Sequence, residues 1–144
     1  MGRLGTRVAK ILLTISFGVF FYIHAFGAPG HLTLDWPDHA LNHHLRGCIS
    51  SATLAVVGVV LVFAALHKRW AWWTTALILL ASAGGFWFAY ATVEFGLDFE
   101  AERPIALAAA IVQTVAGIAG LSVAWRTRSP LSPSTPIPLA EHRM

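Results

Sequence analysis

Charge is what this chain has least of. Only 12% of its 144 residues are Asp, Glu, Lys or Arg, about half of the roughly 25% that a soluble domain carries. Residues of the AVILMFWYC set make up 56% and mean hydropathy is +0.65. So little charge cannot wet the surface of a chain this small, which excludes an ordinary soluble globular fold, and the same composition excludes a disordered chain. Cysteine is almost absent too. Cys48 stands alone, so neither an intrachain disulfide nor a multi-cysteine zinc site can form. No Walker loop, G-x-G-x-x-G fingerprint, G-x-S-x-G elbow, H-E-x-x-H or C-x-x-C occurs, which removes the enzyme classes built on them. No charge lies deep in any apolar run, which excludes an ion pump working through a buried carboxylate relay.

What is present is four long apolar runs, at about residues 8–26, 46–66, 70–92 and 104–125, the second with a polar outer extension that takes its helix back to about residue 37. Each is near the length needed to cross a hydrocarbon core of about 30 Å. Backbone polar groups in lipid must be satisfied within the segment, so such spans are helices. The breaks are Gly27–Gly30, the basic His67–Arg69 and the polar Gly96–Pro104; Pro104 suits the first turn of the fourth helix. With both termini cytoplasmic, the inner side collects Arg3, Arg7, Lys10, Lys68, Arg69, Arg126, Arg128 and Arg143, leaving Arg46 and Arg103 outside. Six of the seven acids then fall outside, with Glu141 alone inside. That is the Lys/Arg bias of an inner-membrane protein with N and C termini both cytoplasmic. The sequence pI of 9.6 accordingly reflects an anionic inner leaflet and not a nucleic-acid partner. The small residues at Ala25–Ala28 also fit the end of a secretory signal, whose removal leaves three spans; the length of the run and Pro29 weigh against it.

The sequence thus predicts an all-α integral membrane protein, an antiparallel four-helix bundle over residues 1–126, with a disordered, proline-rich cytoplasmic tail over 127–144. Small residues carry helix packing in lipid. Ala81, Ala83, Gly84 and Gly85 offer them in the third span, Ala109, Ala116, Gly117 and Gly120 in the fourth, and Ser51, Ala55 and Gly58 in the second. Trp70, Trp72, Trp73 and Trp125 fit an interfacial belt at the inner end.

The connection His31–Gly47 is unlike the others. It runs straight into the second span and carries Asp35, His39, His43, His44 and Arg46. At 100° per residue His39, Asn42, His43, Arg46 and Ser50 share one face of a helix, and a polar stripe entering a membrane is expected to face the bundle or a wet cavity. Depth and helical phase add His24, Tyr90, Glu94 and Gln113, giving an outward-facing candidate pocket of His24, His39, His43, Arg46, Tyr90, Glu94 and Gln113. An apolar floor with a His/Arg/Glu rim suits an amphipathic ligand such as a lipid, quinone or isoprenoid. Arg46 is then placed to hold an anionic head group. The same region also supports a membrane subunit that docks a partner protein. The enzyme alternative is a mononuclear site in which His39, His43, Glu94 and Asp35 hold a single transition metal. The bland alternative is that these groups only pair with one another at the outer interface.

The H-x3-H-H run at His39, His43 and His44 resembles one histidine box of membrane di-iron desaturases and hydroxylases. Those enzymes need about eight ligands, more than the seven histidines here, two of which (His67 and His142) lie on the inner side. Across most of the chain, four short spans, a basic N-terminus, Leu45-Arg46-Gly47 at the start of the second span and a Gly-rich third span resemble the DoxX-like small bacterial inner-membrane proteins. That resemblance implies a four-helix membrane domain, sometimes beside redox or quinone enzymes, and it assigns no catalytic residue.

Overall fold

A computed structural model describes residues 2–27, 38–92 and 103–127. Four helices account for nearly all of them: α1 (Gly2–Tyr22), α2 (Asp38–Ala64), α3 (Arg69–Thr92) and α4 (Arg103–Thr127). Among the described residues there is no strand. The proline-rich tail after Thr127 lies outside them, as do Asp35, Glu94 and the start of the His31–Gly47 connection. All four helices are long and apolar enough to cross a membrane. α1 begins ahead of its apolar run, since nothing between Gly2 and Val8 breaks a helix, and it ends in a single π-helical turn, Ile23–Gly27.

The helices form a ring in which α1 packs most extensively on α4, then on α2, with α3 completing the circuit between α2 and α4. Every neighbouring pair is antiparallel. Along α1 and α4, Gly5 meets Thr127, Leu13 meets Gly120, and Ser16 meets Gly117 and Gln113. Along α1 and α2, Lys10 reaches Phe63 and Phe17 covers Gly58. Trp72 bonds the Leu121 carbonyl and Leu79 packs on Gly117 between α3 and α4. A tight turn joins α2 to α3, closed by Lys68 N–H donating to the Ala65 carbonyl at 2.7 Å.

The centre of the ring is built from Leu13, Phe17, Ala55 and Val62, all fully buried. Close approach depends on missing side chains. A Cβ on Gly120 would sit 2.7 Å from Leu13 Cγ and 3.1 Å from the Leu13 backbone nitrogen, and one on Gly58 would overlap the Phe17 ring. The outside of the bundle is as apolar as the inside: Ile11, Val60, Leu77, Leu80, Ile105 and Ile118 are all exposed. So large an uncovered apolar surface fits helices long and apolar enough to cross a membrane.

Among the described residues three polar side chains are buried in this core, Ser16, Thr75 and Gln113. Ser16 Oγ donates to the Gln113 carbonyl at 2.7 Å, and Gln113 Nε2 donates to Ser82 Oγ at 3.0 Å. One residue of α4 thereby ties together α1 and α3. Thr75 bonds back to the Ala71 carbonyl of its own helix at 2.8 Å. Of the four tryptophans expected in an interfacial belt, Trp70, Trp73 and Trp125 are exposed. Trp72 turns inward instead, its Nε1–H donating to the Leu121 carbonyl at 3.1 Å.

Candidate ligand site

At the end of the bundle that holds Phe26 and Asp38, a cleft of about 340 Å³ opens between the end of α1 and the first half of α2. Its walls are Phe21, His24 and Ala25 on one side and Leu45, Cys48, Ile49, Ala52, Thr53 and Val56 on the other. Two features of local sequence make it. Cys48, Ala52 and Ala55 follow one helical face of α2 with short side chains, which leaves room beside α1. The π-helical turn Ile23–Gly27 widens the last turn of α1, and such turns are frequent at functional sites.

His24 and Thr53 are the polar side chains of the cleft wall, and the Thr53 hydroxyl donates to the Ile49 carbonyl of its own helix at 2.8 Å. The Nδ1 of His24 lies 2.9 Å from the Phe20 carbonyl oxygen and its ring stands edge-on to Phe20, with centroids 4.5 Å apart. A carbonyl oxygen only accepts, so Nδ1 carries the proton. In the neutral imidazole Nε2 is then the acceptor nitrogen, with a lone pair for a guest. Cys48 is buried in the same wall, a small polarizable neighbour.

The other residues of the expected pocket are spread more widely. His43 and Arg46 are exposed on α2 and do not line the cleft. Among the described residues the buried positions of α2 are Cys48, Ala55, Gly58 and Val62, and Asn42, His43, Arg46 and Ser50 of the polar stripe expected to turn inward are exposed. The reason is steric: helices associate in lipid through small residues, and cationic or imidazole side chains at a helix end reach water without entering the bundle. Tyr90 belongs to an aromatic group on α3. It is stacked on Phe86 with centroids 6.1 Å apart and edge-on to Trp87, which donates to Thr114 Oγ1 of α4 at 3.0 Å. Gln113 sits in the core, bonded to Ser82.

Asp35, Glu94 and the side chain of His39 lie outside the described residues. Of the residues expected to hold a metal, His43 alone is described to its side chain. Among the described residues no group of three His, Cys, Asp or Glu side chains stands close enough to hold an ion. Cys48 is the cleft residue that helical phase alone left among packing residues. Its place opposite His24 follows from the inter-helix register, which a single sequence does not carry.

A second groove of about 600 Å³ runs between the end of α1 and the first half of α4, over Gly18, Tyr22, Ile105 and Ala109. It has no group comparable to His24. Comparison with known protein families, curated proteins and solved structures found no match for this chain.

Proposed function

We propose that this is a multi-pass protein of the bacterial inner membrane, both termini cytoplasmic, that acts as a membrane subunit or binding module for an amphipathic ligand of the lipid, quinone or isoprenoid class. The observation that carries the reading is His24, set in a lipid-open apolar cleft with Nδ1 already committed to Phe20. A cleft of about 340 Å³ is at the small end of ligand pockets, which run from about 300 to 1,000 Å³. It takes a ring-sized head group and leaves the tail on the exposed Ile49 and Val56 at its edge. Because neutral His24 offers Nε2 as an acceptor, the matching head group donates a hydrogen bond, as a quinol or an isoprenoid alcohol does. A quinone carbonyl finds a donor there only when the imidazole is protonated.

Calorimetric titration of the full chain in detergent with a short-tailed benzoquinol, and with its oxidised quinone, tests this. The quinol is expected to bind more tightly than the quinone, which brings no hydrogen for Nε2 to accept. His24→Phe keeps the ring contact with Phe20 and removes the acceptor, and it is expected to weaken quinol binding about tenfold, the scale of one net hydrogen bond. Ala52→Phe fills the cleft and is expected to abolish binding with helix content unchanged. Wild-type affinity in both variants rejects the site. Co-purification of a second membrane protein that is lost in Ala52→Phe, with no ligand bound in either, points to the subunit role.

A further inference from the structure

At the end of the bundle opposite His24, the α2–α3 turn presents three consecutive cationic or titratable side chains, His67, Lys68 and Arg69, all exposed. With Trp70 and Trp73 they line a notch of about 700 Å³. The same end carries Arg3, Arg7 and Arg126 on the exposed surface, and among the described residues it has no acidic side chain. Lys10 belongs to this end as well, its Nζ donating to the Phe63 carbonyl at 3.2 Å and standing 5.3 Å above the Phe63 ring. The notch adjoins an exposed apolar face of α3. Trp73, Leu77 and Leu80 are 49%, 62% and 69% exposed and follow one face of α3 by their spacing. They extend the notch along the helix by about 10 Å.

A molecule that satisfies both parts has an anion at one end and a hydrocarbon chain at the other. We propose that the notch binds an anionic phospholipid of the leaflet in which it sits. Arg69 and Lys68 hold the phosphate, Arg69 with two parallel N–H donors. Trp70 packs at head-group depth, and one acyl chain lies along Trp73, Leu77 and Leu80. Free phosphate uses the cations but leaves that apolar face bare, which is why the lipid is the occupant. Arg3 and Arg7 carry equal charge at the same end but do not line the notch, so charge alone does not define it.

The test is fluorescence quenching of the full chain in phosphatidylcholine vesicles by a minor fraction of phosphatidylglycerol brominated in its acyl chains. In the unmodified protein, brominated phosphatidylglycerol is expected to quench more than brominated phosphatidylcholine at equal fraction; equal quenching overturns the proposal without any variant. Lys68→Gln/Arg69→Gln is expected to lose the preference, by up to about fivefold per cation removed, while Arg3→Gln/Arg7→Gln keeps it. Equal losses in the two variants, or displacement of the lipid by inorganic phosphate, overturn the site as well. Flotation of the protein with the same vesicles reads membrane insertion separately, so failure of the membrane reading is distinguishable from failure of the notch.

Discussion

A glutamine in the middle of an apolar helix has to find partners, because an amide left bare in hydrocarbon costs several kcal/mol. Gln113 finds Ser82 through its side chain, and Ser16 comes to its backbone carbonyl. The two halves of this arrangement respond differently to mutation. Gln113→Leu removes the demanding amide together with its bond and keeps similar volume; it is expected to cost about 1 kcal/mol, the usual worth of a polar contact between membrane helices. Ser82→Ala leaves the Gln113 amide in place without its acceptor and is expected to cost more, about 1–3 kcal/mol. Equilibrium unfolding in mixed micelles with increasing dodecyl sulfate ranks the two, and a larger loss in Gln113→Leu contradicts the assignment. Depth and helical phase put Gln113 in the candidate pocket, whereas it is buried in the core on Ser82, and the sequence did not mark its partners. Serines bond back to their own helix as readily as across to a neighbour, so Ser16 and Ser82 carry no signal until the helices are assembled.

The helices themselves were legible from run length and from the breaks at Gly27–Gly30 and His67–Arg69, because an apolar run long enough to cross a bilayer and bound to satisfy its own backbone has almost no other structure open to it. Their rotation was much less legible. Polar side chains at a helix end reach water in many orientations, so the His43–Arg46 stripe did not fix which way α2 turns; the short side chains Cys48, Ala55 and Gly58 do. Glycines at crossings show the same rule. Gly120→Ala is expected to destabilise the α1–α4 pair by about 1–3 kcal/mol, since its Cβ meets Leu13 backbone as well as side chain. Gly18→Ala serves as the control. Nothing lies within 4 Å of a Cβ there, and the better helix propensity of alanine is expected to leave stability unchanged or slightly raised. The same micelle titration reads both, and matching losses at the two positions remove the close-crossing account.

Taken whole, the bundle has two chemically different ends. One gathers Arg3, Arg7, Lys10, Lys68, Arg69 and Arg126 from α1, α3, α4 and the α2–α3 turn; the other carries the cleft with His24, and the antiparallel register of every neighbouring pair fixes this segregation. A bilayer with a more negative cytoplasmic side orients such an object with its cations inward. His67 and Asn42 are both exposed and stand at opposite ends of α2 and its turn, and the single native cysteine makes a clean labelling background once Cys48→Ala is introduced. In intact cells a membrane-impermeant maleimide is expected to label Asn42→Cys at once and His67→Cys only after permeabilisation. The reverse pattern inverts the topology and puts the His24 cleft in the cytoplasmic leaflet. Labelling of both positions from the same side breaks the transmembrane assignment of α2, and with it the lipid-open setting that gives His24 its proposed guest.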